Sequence, residues 1–207
     1  MTADGLAHEN AILPPVVPGE RIALFGGTFD PPHEGHLLVA RTVLRRLELD
    51  RLWWMVTPGN PLKHRGDQRS LPERVRLSRA AVRGDPRIRV TAFEARFGVR
   101  YTADTVALLR RRRPLARFVW IMGADGLAAF HRWQDWRRIA AALPICVVDR
   151  PGSTLSLLSS PAAHALARHR LRERDAALLP ALKPPAWVFL HGPRSVASST
   201  ALRRAAS

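Results

Sequence analysis

The stretch Gly26-Gly27-Thr28-Phe29-Asp30-Pro31-Pro32-His33-Glu34-Gly35-His36 decides how this chain is read. Before it stands Arg21 to Phe25, a short apolar run closed by two glycines, the pattern of a buried strand. After it, Leu37, Ala40, Val43, Leu44 and Leu47 recur at spacings of three and four, which predicts an amphipathic helix opening at Gly35. A strand, a glycine turn and a helix start thus follow one another directly. Glycines after a strand let backbone amides approach a ligand closely. A helix N-terminus attracts anions through its free amides and its dipole. His33 and His36 lie three residues apart, so both rings fall on one side of the first turn.

Three roles are open to the two histidines. They could ligate a metal, although the sequence offers no obvious third ligand. They could be structural. They could donate hydrogen bonds to phosphate oxygens on which charge builds during transfer. Only the third uses the strand, the glycines and the helix start together. The segment is not a P-loop, because Gly-Lys-Ser/Thr is missing.

Outward from this segment, strand and helix signals alternate. Strands are expected over Leu52 to Val56, Ile88 to Phe93, Phe118 to Met122, Ile145 to Val148 and Trp187 to Leu190. Helices are expected over Pro72 to Val82, Tyr101 to Arg112, Asp125 to Phe130, Trp133 to Ala142, most of Pro161 to Leu178, and from Ser199 onward. The alternation argues an α/β fold, a doubly wound parallel sheet in a single domain. Sites in such folds lie beyond the carboxyl ends of the strands. The unusual residues cluster there, after the first, second, fourth and sixth expected strands. Residues 1–19, ending in Pro14-Pro15-Val16-Val17-Pro18-Gly19, read as a flexible leader, and residues 20–207 as the domain.

Bulk properties narrow the class. The 207 residues are 46% apolar, enough to bury a core without staples. The single cysteine, Cys146, lies in an apolar run and reads as a buried strand thiol; a disulfide framework within one chain is excluded. No stretch approaches the ~18 apolar residues of a membrane span, and the N-terminus lacks a signal-peptide pattern. A cytoplasmic protein that does not enter membranes is expected. The net charge of +16 suggests polyanionic or phosphorylated partners, or simply a solvated arginine-rich face. A basic nucleic-acid-binding module is the non-enzyme alternative. It is disfavoured because no nucleic-acid signature is present and the excess arginines do not gather at the strand ends.

The motif residues carry a family resemblance. His33-Glu34-Gly35-His36 fits the His-x-Gly-His signature of the nucleotidylyltransferase superfamily, and the whole segment from Gly26 to His36 resembles the first motif of bacterial nicotinate-nucleotide adenylyltransferases. Val196-Ala197-Ser198-Ser199-Thr200-Ala201-Leu202-Arg203 resembles the second superfamily motif, a hydroxyl-rich helix start with an arginine in its first turn. Tyr101-Thr102-Ala103-Asp104-Thr105 and Gly123-Ala124-Asp125-Gly126-Leu127, with Phe130 and Trp133, resemble two further family segments. Thr57-Pro58-Gly59-Asn60-Pro61-Leu62-Lys63 resembles, more loosely, a Pro-rich loop ending in a basic residue. Arg150-Pro151-Gly152 also recurs in the family, with its role open.

The resemblance implies a Rossmann-like fold and an adenylyltransferase of NAD biosynthesis. Such an enzyme joins ATP to nicotinate mononucleotide, giving nicotinate adenine dinucleotide and pyrophosphate. It places His33, His36 and Arg203 in catalysis. Gly26, Gly27, Thr28, Phe29, Ser198, Ser199 and Thr200 join them at ATP. Asp30, Lys63, Tyr101, Thr102, Asp125, Trp133 and the Gln134 amide fall to the mononucleotide, with His64 and Arg65 as rivals of Lys63. Mg2+ accompanies ATP, held mainly by phosphates and water. Nicotinamide mononucleotide, or another phosphorylated acceptor, is the alternative within the class, and a homo-oligomer is compatible with the sequence.

Overall fold

The computed structural model describes residues 11–58, 68–149 and 160–191. Within them, β1 (Arg21–Gly27), α1 (Glu34–Arg46), β2 (Arg51–Val56), α2 (Leu71–Ala81), β3 (Ile88–Thr91), α3 (Phe93–Arg96), α4 (Thr102–Arg112), β4 (Arg117–Gly123), α5 (Ala124–Ala129), α6 (Trp136–Ala142), β5 (Ile145–Val148), α7 (Pro161–Ala165), β6 (Arg170–Leu171) and β7 (Trp187–Leu190) follow in order. The strands form one sheet of order β3-β2-β1-β4-β5-β7-β6. Every pairing is parallel.

Alternation along the strands makes two cores. From β1, Ala23 and Phe25 join Trp54 and Val56 of β2 under α1 and α2. Ile22 and Leu24 point the other way and join Trp53, Met55, Trp120 and Met122 under α4 to α7. Both faces are covered, so the strands read as continuous apolar runs rather than as alternating ones. Helices on both faces of a parallel sheet make the expected doubly wound, Rossmann-like domain. Strand order reverses between β1 and β4, which opens a crevice at their carboxyl ends.

Local signals hold where the sequence supplies a cap. Ser70 accepts from the Glu73 N–H at the start of α2, with proline in the first turn, and Ser160 caps α7 in the same way. Three expectations shift. β3 stops at Thr91, because Phe93 and Glu94 turn inward on α3 and Phe93 packs edge-on against Trp53. Trp133 to Asp135 stay outside α6, which begins only after Asp135 adopts a left-handed φ of 51°. The stretch from Pro161 to Leu178 is one short α-helix, 3-10 turns and the edge strand β6, whose Arg170 and Leu171 pair with β7. The sixth expected strand is therefore β7.

The boundary at residue 19 also differs from where packing begins. Ala11 is buried, and Leu13 and Val16 pack against the core. The Arg113 guanidinium donates to the Leu13 and Pro14 carbonyls. Residues 11–19 are thus held to the domain, while residues 1–10 lie outside the described ones. Cys146 is free and fully buried, and burial pushes its thiol pKa up. No helix among the described residues is long and apolar enough to cross a membrane.

Candidate active site

The first motif lies at the carboxyl end of β1, beside the crevice. Gly26 and Gly27 are the last residues of the strand, and the Thr57 N–H and hydroxyl both close on the Gly27 carbonyl. This zips the ends of β1 and β2 together. Phe29 then takes a left-handed φ of 48° and folds its ring back over Gly27. A Cβ on Gly27 would meet that ring at 2.9 Å, so glycine is required there by close approach. The ring stacks tilted on Trp54 at 4.3 Å and meets His36 edge-on at 5.0 Å. A non-glycine residue at positive φ is strained. The aromatic cluster of Phe25, Phe29 and Trp54 holds Phe29 in place. Its side chain therefore belongs to the core.

His33 is the N-cap of α1 and His36 lies three residues on. Their rings stack with centroids 3.7 Å apart, and both side chains are buried. The His33 N–H donates to His36 Nδ1 at 3.2 Å. A neutral His36 must then carry its proton on Nε2, which makes that nitrogen a donor. Two imidazoles and the amides of a helix start are so gathered at one point, an arrangement suited to anionic oxygens.

Asp30 is buried, and its carboxylate is engaged by Arg69. The guanidinium donates at 2.9 Å and the Arg69 N–H at 3.2 Å. That bond to Asp30 pushes the Arg69 pKa up. Asp30 therefore organises the entry to α2 at the edge of the site. Arg74 of α2 is buried 46 residues from Thr28 in sequence, yet donates to its carbonyl. Sequence reading missed both arginines. Arg74 sits in the same helix as Arg76 and Arg79, and nothing in the residue pattern separates it from them.

The second cluster comes from the opposite face of the sheet. α4 runs back toward β4, so its N-terminus lies at the carboxyl edge. Tyr101, its N-cap, is exposed, and Thr102 is half-buried. Thr105 Oγ1 donates to Glu94 Oε1 at 2.6 Å and so ties α4 to α3. Glu94 is a buried carboxyl that sequence reading also missed; burial pushes its pKa up, and the Thr105 hydrogen bond pulls partly back. Asp125 is exposed in the first turn of α5, directly after β4. Trp133 is half-buried, braced edge-on by Trp120 and Phe130, with exposed Gln134 after it. The two clusters flank the carboxyl ends of β1 and β4 from either face.

Lys63, His64 and Arg65, the segment Arg150-Pro151-Gly152, and the second motif with Ser198, Ser199, Thr200 and Arg203 lie outside the described residues. Among the described residues, no group of three or more His, Cys, Asp or Glu side chains could hold a metal ion.

Comparison with known proteins follows the same lines. Residues 24–205 match the family model described as cytidylyltransferase-like. A Brucella suis protein named "probable nicotinate-nucleotide adenylyltransferase" is 62% identical over 183 residues, covering 88% of this chain and 94% of its own length. A protein of the same name from Agrobacterium fabrum is 59% identical over 182 residues, covering 88% and 97%. This chain belongs to the nicotinate-nucleotide adenylyltransferase family. A Plasmodium falciparum nicotinic acid mononucleotide adenylyltransferase, solved in complex with NaAD, has the same fold; its TM-score is 0.68 at 15% identity, over 89% of this chain and 83% of that one.

Proposed function

We propose that this chain transfers the adenylyl group of ATP to the phosphate of nicotinate mononucleotide. An oxygen of the mononucleotide phosphate attacks the α-phosphorus in line. The bond from the α-phosphorus to the bridging oxygen breaks, and pyrophosphate leaves with the electron pair. The attacking group is already an anion, so no general base is needed. The protein's contribution is positioning and charge stabilisation.

The observation that carries this reading is the His33–His36 pair at the N-terminus of α1, with His36 held as an Nε2 donor. We assign His36 and His33 to the α- and β-phosphate oxygens. The main chain from Gly26 to Phe29 lines the triphosphate, and Ser198, Ser199, Thr200 and Arg203 complete that half. On the acceptor half, Trp133 stacks on the pyridine ring. The main chain at Thr102 and Gln134 meets the ring carboxylate, with Tyr101 beside it, Asp125 faces the ribose, Lys63 reaches the phosphate, and Asp30 shapes the floor through Arg69. Magnesium enters as part of the nucleotide substrate, its ligands phosphate oxygens and water. The reaction is assigned to the cytoplasm, and residues 11–19 count with the domain because they pack against its core.

The test uses purified protein with ATP, magnesium and nicotinate mononucleotide. Pyrophosphate and nicotinate adenine dinucleotide should appear together. Nicotinamide mononucleotide, run alongside, should turn over more slowly. Absence of pyrophosphate release with both substrates present sinks the reading.

A further inference from the structure

Among the described residues, Arg74 makes four hydrogen bonds, all to main-chain carbonyls. Nε donates to Arg69 at 3.0 Å, Nη1 to Thr28 and Thr57 at 2.8 Å each, and Nη2 to Pro58 at 3.2 Å. The side chain is 1% exposed. Thr28 belongs to the loop of the first motif. Thr57 and Pro58 open the loop after β2. The Arg69 main chain leads into α2, and its N–H holds Asp30. One planar cation thus joins the three segments that border the site on this face of the sheet.

We propose that Arg74 is a positioning residue that fixes the triphosphate loop relative to the acceptor-phosphate loop without touching either substrate. This rests on the adenylyltransferase reading above. Only arginine meets the geometry, because its fork presents five donors in one plane, whereas a lysine offers a single point with three. The cation has a second effect. Cis peptides among the described residues are confined to Asp30-Pro31 and Pro184-Pro185, so the Thr28–Phe29 peptide is trans. Its N–H therefore points away from Arg74. Polarising the Thr28 carbonyl makes the Phe29 N–H a stronger donor on the opposite side, where the first motif meets phosphate.

The test is Arg74→Lys and Arg74→Met, assayed per folded molecule at a temperature well below the unfolding transition. KM for ATP and KM for the mononucleotide should rise together, and kcat/KM should fall by roughly 10- to 100-fold, the scale of small misplacements at a reacting centre. The lysine variant should retain more activity than the methionine variant. Folded Arg74→Lys with both KM values and kcat near those of the parent overturns the proposal. Should neither variant fold, Pro58→Gly serves, because Pro58 is exposed and the change only loosens one of the four carbonyls. A raised mononucleotide KM supports the proposal, and an unchanged one overturns it. Failure of the parent enzyme to release pyrophosphate would count against the activity itself, not against the coupling.

Discussion

The His33 N–H donates to His36 Nδ1 at 3.2 Å, and this bond orients the ring that we assign to phosphate. Nδ1 is occupied as an acceptor, so a neutral His36 donates from Nε2, the donor that the proposed reaction uses. The two nitrogens can be separated by substitution. His36→Asn places an amide oxygen near Nδ1 and keeps the cap, but has no donor at Nε2. His36→Gln reaches the Nε2 position with its NH2. Steady-state turnover should therefore rank Gln above Asn. His36→Ala should lower kcat by roughly 10²–10³, the range for losing a preorganised donor. Equal losses for Asn and Gln would mean that the ring acts through its shape instead.

Gly27 and Phe29 form a second dependent pair. The ring lies where a Cβ on Gly27 would be, at 2.9 Å, and it is wedged against Trp54. Gly27→Ala should cost on the order of 1–3 kcal/mol, the price of overpacking a filled site. Each ~1 kcal/mol lowers Tm by about 2–4 °C in a domain of this size. Phe29→Leu added to Gly27→Ala should recover part of the loss, because the smaller side chain vacates the space. Thermal unfolding of the two single variants and the double variant measures the coupling. Strict additivity would show that the two residues do not compete for that space.

The residues that were legible in the sequence are those whose identity is dictated locally. Gly26 and Gly27 end a strand and the two histidines open a helix, so their chemistry and their place in the fold come from one short window. Long-range partners were illegible for the same reason. Arg74 is one arginine among many in a chain of charge +16, and it gains its role only when β1, β2 and α2 converge on it. Glu94 lies just past a run expected as a strand, Ile88 to Phe93, and its meaning comes from Thr105 on the next helix. The breakdown of Pro161 to Leu178 into turns and an edge strand was hidden because pairing with β7 outweighs helix propensity there.

Glu94 sets a pH dependence. Its pKa is raised in the folded state, so the folded chain binds that proton more tightly than the unfolded one. The stabilisation it offers is complete below the unfolded carboxylate range and is lost as pH rises through the folded pKa. Glu94→Gln keeps an acceptor for Thr105 Oγ1 and cannot ionise. Tm of the variant should therefore gain on the parent progressively as pH is raised from acid to mildly alkaline. A constant difference across that range would mean that Glu94 titrates as it does in the unfolded chain.

Trp133, proposed to stack on the pyridine ring, allows the two substrates to be told apart. Trp120 and Phe130 brace its ring edge-on, with centroids 6.4 and 5.4 Å away, and leave it half-buried beside the exposed Gln134. Such bracing fixes the plane of the indole before any ligand arrives, which lowers the ordering cost of stacking. Removing the indole should cost the acceptor roughly tenfold in affinity, the scale of one aromatic stacking contact. The His33–His36 turn opens α1 on the other face of the sheet, so ATP binding there should not feel it. Trp133→Ala should thus raise KM for nicotinate mononucleotide while KM for ATP stays close to that of the parent. Trp133→Phe should fall between. Initial-rate measurements with each substrate varied in turn decide the matter: if both KM values rise together, the indole is part of the packing of the β4 side and does not hold the pyridine ring.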